Sequence, residues 1–185
     1  MRRRNPSRTR ASGSGDRGPE NGERRVVRIH RGHPRLRLDR RAVATAIHEL
    51  DAHAGAIVGA DRPRRLPGIP RGELSLAFLT DAALAALHGR FLDDPSATDV
   101  ITFAGDPSAG QAGEICVSVD AARRFACQHR RDFSEELTLY LVHGWLHLGG
   151  HDDRAPAARR RMRAAEARAM ALLRAVRTVP EFSFA

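Results

Sequence analysis

His143-Gly144-Trp145-Leu146-His147-Leu148-Gly149-Gly150-His151-Asp152-Asp153 is the stretch on which the reading of this chain turns. His143 and His147 stand four residues apart, a spacing that stacks both imidazoles on one face of an α-helix. Leu141, Val142, Trp145, Leu146 and Leu148 surround them, so this helix is expected to be largely buried. Buried imidazoles need partners, and a shared metal supplies one. Gly149 and Gly150 stop the helix and let the backbone turn back on itself. Behind the turn come His151, Asp152 and Asp153. Two helical histidines and a third ligand delivered by a glycine turn make a three-ligand zinc site with one position left for water. Zinc in such a site lowers the pKa of that water toward about 7.

Two residues compete for the third position. His151 follows His147 by four residues and Asp153 follows it by six. The zinc pattern His-x-x-x-His-x-x-Gly-x-x-His puts its glycine three residues after the second histidine and its last ligand six after. Gly150 and Asp153 meet that spacing, and a carboxylate is an accepted zinc ligand. Asp153 is therefore favoured, with His151 the alternative. The other role open to Asp153 is capping the following helix. Asp152 could take that role instead, orient a ligating imidazole, or shuttle a proton. The same stretch argues against a peptidase. Zinc peptidases of the His-Glu-x-x-His type use the glutamate as general base, and here that position is Gly144.

Working outward, the elements alternate without strict order. Val26, Val27 and Ile29 predict a first strand, and Asp39 caps a helix over about 40–54 with Val43, Ala46, Ile47 and Leu50 on one face. Residues 61–71 read as a loop. Glu73 to Leu79 reads as a strand, and Thr80 or Asp81 caps a short helix through about His88. A polar loop over Gly89–Ala97 is expected to border the site. Thr98 to Phe103 and Glu114 to Val119 read as strands around a Gly/Pro/Ser turn at 105–113. A helix follows from Asp120 to about His129, and the long His-bearing helix starts at Ser134. Pro156 opens a last helix to about Arg177. The fold class is α+β: one small mixed sheet of about four strands packed with helices, with a zinc cleft at the end of a central helix.

The 185 residues suffice for one domain with a real core. Residues 1–24 hold almost nothing apolar and read as a disordered, arginine-rich arm. The domain is expected over 25–177, with 178–185 a tail. All 31 basic residues are arginine. Residues 1–40 carry 13 of them against four acids, whereas 41–185 balance 18 with 18. The pI thus describes the arm, which suits phosphate contacts on RNA or a ribosome. No apolar run approaches a membrane span. Cys116 and Cys127 are too few for a disulfide framework and read as buried thiols in a reducing cytoplasm.

The signature from His143 to Asp153 resembles that of the YbeY family of bacterial zinc-dependent endoribonucleases. Thr98-Asp-Val-Ile-Thr-Phe103 is similar to that family's Thr-Asp-Val-Leu-Ser-Phe strand, and Gly113-Glu-Ile-Cys-Val-Ser118 to its Gly-Asp-Ile-x-Ile-Ser strand. The three motifs keep the family's order and spacing, and the resemblance spans about residues 25–175. It implies a compact α+β fold and cleavage of single-stranded RNA in the cytoplasm. It also implies work on 16S rRNA 3′ ends and ribosome quality control, with the small ribosomal subunit as partner. One Zn2+ per chain would sit on His143, His147 and, where the family usually has histidine, Asp153. Water, or an RNA 2′-OH activated at the zinc, would attack phosphorus. The family's arginine six residues before the strand threonine is Leu92 here, and Arg90 is the candidate to grip a phosphate in its place. The alternatives are a ribosome assembly factor with a structural, four-ligand zinc, and a metallohydrolase of another substrate.

Overall fold

The computed structural model describes residues 25–59, 68–92 and 98–185. The expected arm at 1–24, most of the expected loop at 61–71 and the segment 93–97 lie outside the described residues. In chain order the elements are β1 (Val27–Arg31), β2 (Leu36–Leu38), α1 (Arg40–Ala52), α2 (Ala54–Val58), β3 (Glu73–Leu79) and α3 (Asp81–Leu92). There follow β4 (Val100–Ala104), β5 (Gln111–Ser118), α4 (Val119–His129), α5 (Phe133–Leu148), α6 (Pro156–Ala175) and β6 (Phe182–Phe184).

A four-stranded mixed sheet runs in the order β1-β3-β5-β4. β1 and β5 flank β3 in parallel, and β4 closes one edge antiparallel to β5. The central strand shows why both faces are covered. Leu74, Leu76 and Phe78 are fully buried on one side, while Ala77 and Leu79 are buried on the other. The first side carries the main core, shared with α1, α4, α5 and α6. The second is a smaller cluster in which Leu84 of α3 meets Ile101 and Cys116. The expected α+β class and small mixed sheet are therefore present.

α5 runs through the main core. Trp145 is fully buried and donates its Nε1–H to Asp51 at 3.0 Å, and Arg25 closes the other carboxylate oxygen at 2.5 Å. An indole in a core loses water, so this bond satisfies its one polar atom. Gly144 faces the sheet so closely that a Cβ there would stand 2.4 Å from Ile115 Cγ2. Glycine thus lets α5 settle onto β5.

Several boundaries differ from expectation. The first helix breaks at His53 and resumes as the short α2. Thr80, not Asp81, caps α3, its Oγ1 accepting from the Ala83 N–H. α3 extends to Leu92, so 89–92 of the expected loop is helix. α4 and α5 begin at Val119 and Phe133, each one residue before its expected start, and are capped by Ser118 and Asp132. The expected tail carries β6, which pairs antiparallel with β2. Phe182 of β6 is buried against Phe78 and Phe133. Cys116 is buried as expected, but Cys127 is exposed on α4.

Candidate metal centre

The C-terminal half of α5 carries His143 and His147 one turn apart, with their rings edge to face and centroids 4.4 Å apart. Past Leu148 the helix ends in a Schellman turn. Gly150 N–H donates to the His147 carbonyl at 2.9 Å and His151 N–H to the Leu146 carbonyl at 3.0 Å. Gly150 takes the left-handed conformation (φ 85°) that this turn demands. The reversal brings Asp153 back to the imidazoles. One ligand atom from each of His143, His147 and Asp153 lies within 4.8 Å of the others.

The imidazoles are held from outside the group. Glu166 of α6 accepts from His143 Nδ1–H at 2.7 Å, and the His151 carbonyl accepts from His147 Nδ1–H at 2.9 Å. An ionised carboxylate and a carbonyl only accept, so in both neutral rings the proton sits on Nδ1 and the lone pair on Nε2. The two Nε2 atoms stand 2.9 Å apart, and His143 Nε2 lies 3.8 Å from the Asp153 carboxylate. Two lone pairs and a carboxylate facing one point repel unless a cation lies between them. A proton on His147 is a poor substitute, because burial, and then the neighbouring His143, hold its pKa below the ordinary histidine value. The donor set therefore fits a metal ion.

Asp152 is exposed and accepts from the N–H groups of Asp153 and Arg154 at 2.8 and 3.1 Å. These bonds hold its carboxyl below the usual range and shape the turn that presents Asp153. Asp152 does not reach an imidazole among the bonds seen, and neither aspartate caps α6, whose N-cap is Ala155 with no side-chain bond. Arg159 ties the same turn down from α6, its Nε donating to the Asp153 carbonyl at 3.0 Å.

The group opens onto a cleft of about 370 Å³ lined by Thr98, Asp99, Val100, Leu139, Tyr140, His143, Asp153 and Glu166. The Tyr140 hydroxyl donates to Asp99 at 3.4 Å, and burial, then the Asp99 charge, push the phenol above its ordinary pKa. Of the residues expected at the site, His143, His147 and Asp153 converge. His151 contributes its carbonyl, and its ring is outside the converging group. Arg90 is exposed in the last turn of α3, its guanidinium 5.4 Å from the Phe91 ring centroid, and does not line the cleft. Glu166 was not anticipated. It is the one acid in α6, on the flank of the buried Met162 and Ala165, and that isolation in an arginine-rich helix was its signal.

Residues 43–174 match the family model described as Endoribonuclease YbeY. The chain belongs to the YbeY family. Relatives bearing that name include one from Chlamydia pneumoniae, 39% identical over 114 residues, covering 57% of this chain and 72% of the relative. Another, from Anaeromyxobacter sp., is 35% identical over 145 residues, 77% of this chain and 69% of the relative. The solution structure of a Thermotoga maritima protein shares the fold at 18% identity. Its TM-score is 0.50, over 83% of this chain and 95% of that one. Among the described residues, no helix is long and apolar enough to cross a membrane.

Proposed function

We propose that this chain is a zinc-dependent endoribonuclease that cuts single-stranded RNA, with His143, His147 and Asp153 as the metal ligands. The observation that carries the proposal is the convergence of those three donors within 4.8 Å on a cleft, in a member of an endoribonuclease family. Two imidazoles and one carboxylate would hold zinc with a three-ligand donor set, the kind found in catalytic rather than structural sites. When zinc is bound the cleft gains a Lewis acid, which offsets charge on a phosphoryl oxygen and acidifies water.

The chain's own residues prepare that chemistry. Glu166 and the His151 carbonyl fix both imidazole tautomers, and the Asp152 turn with the Arg159 tether sets the angle of Asp153. Gly144 leaves no room for the base that a His-Glu-x-x-His peptidase needs, which favours a phosphodiester over a peptide. A closed structural zinc requires a fourth side chain, and the group has three among the described residues. Following the family resemblance, the physiological substrate is the 3′ end of 16S rRNA on the small ribosomal subunit, in the cytoplasm. The arginine-rich first 24 residues suit such a polyanion.

The test is a cleavage assay on a 5′-labelled single-stranded oligoribonucleotide and its duplex, with zinc-loaded and chelator-stripped protein. Cleavage of the single strand alone, lost on stripping and restored by zinc, is the expected result. Full activity in His147→Ala, or casein hydrolysis without RNA cleavage, overturns the reading.

A further inference from the structure

The cleft presents a problem that its lining does not solve. Asp99, Asp153 and Glu166 face it, no arginine lines it among the described residues, and its proposed substrate is a polyanion. Arg124 of α4 stands within electrostatic reach of Asp99 but is already paired with Asp81, and further cations are on α6. Over Pro156–Ala165 that helix carries Arg159, Arg160, Arg161 and Arg163 and no acid. Of these only Arg159 lies in the first turn, where a cation opposes the helix dipole.

Helical phase separates their directions. Arg159 reaches the Asp153 carbonyl and Glu166 reaches His143, so the flank that holds both looks onto the donor group. Arg163 lies four residues after Arg159 and three before Glu166, on that same flank. Side chains on a helix lean toward its N-terminus, which carries the Arg163 guanidinium toward the Asp153 turn. Arg163 is exposed and makes no ion pair or hydrogen bond among the described residues. Arg160 is exposed and equally unpaired, three residues N-terminal to Arg163.

We propose that Arg163 binds a backbone phosphate of the RNA strand next to the scissile bond, with Arg160 on the phosphate beyond. The α6 flank is then the track along which the strand leaves the cleft. This rests on the endoribonuclease reading and adds to it the direction of the substrate. A planar guanidinium engages a phosphate through two N–H groups, and each contact releases counterions.

The test is fluorescence anisotropy of a labelled single-stranded oligoribonucleotide against the full chain stripped of metal with chelator, across a salt series. Binding is then read without cleavage and without the metal. Arg163→Ala is compared with Arg163→Lys and with Arg37→Ala, an exposed strand arginine facing the N-terminal end of α5 that removes the same charge. Arg163→Ala is expected to weaken binding about fivefold to tenfold, with Lys intermediate. The slope of log K on log salt is expected to fall by about 0.7. Arg37→Ala is expected to stay within about twofold. Equal losses in Arg163→Ala and Arg37→Ala, or none in Arg163→Ala, overturn the proposal while zinc-dependent cleavage by the parent stands. A parent that binds RNA through Arg163 yet cleaves nothing with zinc instead overturns the nuclease reading and leaves the track.

Discussion

Glu166 of α6 holds His143 of α5 through a 2.7 Å bond from Nδ1–H to a carboxylate that is 17% exposed. The pair couples the packing of two helices to the aim of one lone pair. Replacing Glu166 with alanine leaves the ring free to rotate or change tautomer. Zinc affinity is expected to fall about 10- to 100-fold in Glu166→Ala. Glu166→Gln, whose amide oxygen still accepts, is expected to recover most of it. Competition with a chromophoric chelator measures both without reference to catalysis. Equal affinities in all three proteins would refute the positioning role.

Asp153 and His151 make opposite predictions at the third position. The Asp153 carboxylate joins the group, whereas His151 offers a backbone carbonyl that any residue retains. Asp153→Ala is therefore expected to lose stoichiometric zinc and RNA cleavage, and Asp153→His to regain both. His151→Ala is expected to keep one zinc per chain. Elemental analysis of the purified variants decides it, and the reverse order would move the ligand to His151.

The contrast between these residues shows what a sequence makes legible. His143, His147 and the Gly150 turn are local, governed by helical spacing and by one left-handed backbone position, and could be placed from the chain alone. So could β3, where apolar residues repeat along a short run. Glu166 could not be assigned, because its bond to His143 depends on how α5 and α6 pack and not on any spacing. The β2–β6 pair was missed for a similar reason. Leu36-Arg37-Leu38 is too short to display a period, and its partner is at the far end of the chain. Arg90 is near Leu92 in sequence, but it belongs to α3, which packs on the face of the sheet opposite α5, and it does not line the cleft.

Gly144 tests the packing under the site. A Cβ placed 2.4 Å from Ile115 Cγ2 must push α5 away from β5 or displace the isoleucine. Gly144→Ala is expected to cost about 1–3 kcal/mol despite the better helix propensity of alanine. Urea unfolding at constant m reads the cost. Ile115→Val removes one methyl, and in the double variant the two losses are expected to be less than additive. Additive losses would mean that the contact is not what makes glycine necessary.

The thiols separate by environment. Burial, then the Glu114 charge, push the Cys116 pKa up to about 12, while Cys127 is exposed. The thiolate is the reactive form, so iodoacetamide at pH 8 is expected to modify Cys127 and spare Cys116 in the native protein. Both should react in urea. Mass spectrometry of the native reaction would refute this burial if Cys116 carried the adduct at a comparable rate.

His147 gives the metal-free protein a dependence on pH whose sign follows from its surroundings. Burial lowers its folded pKa below the ordinary 6.5 of the unfolded chain, so the folded state takes up that proton less readily. The contribution of this group to stability is whole above pH 6.5 and is lost as pH falls through the folded value. Stripped protein is expected to be less stable to urea at pH 5.5 than at pH 7.5. His147→Gln, which has no proton to gain, is expected to reduce that difference. Zinc binding should weaken over the same interval, because proton and metal compete for the same Nε2 lone pair. A His147→Gln profile parallel to that of the parent would assign the pH dependence to other groups.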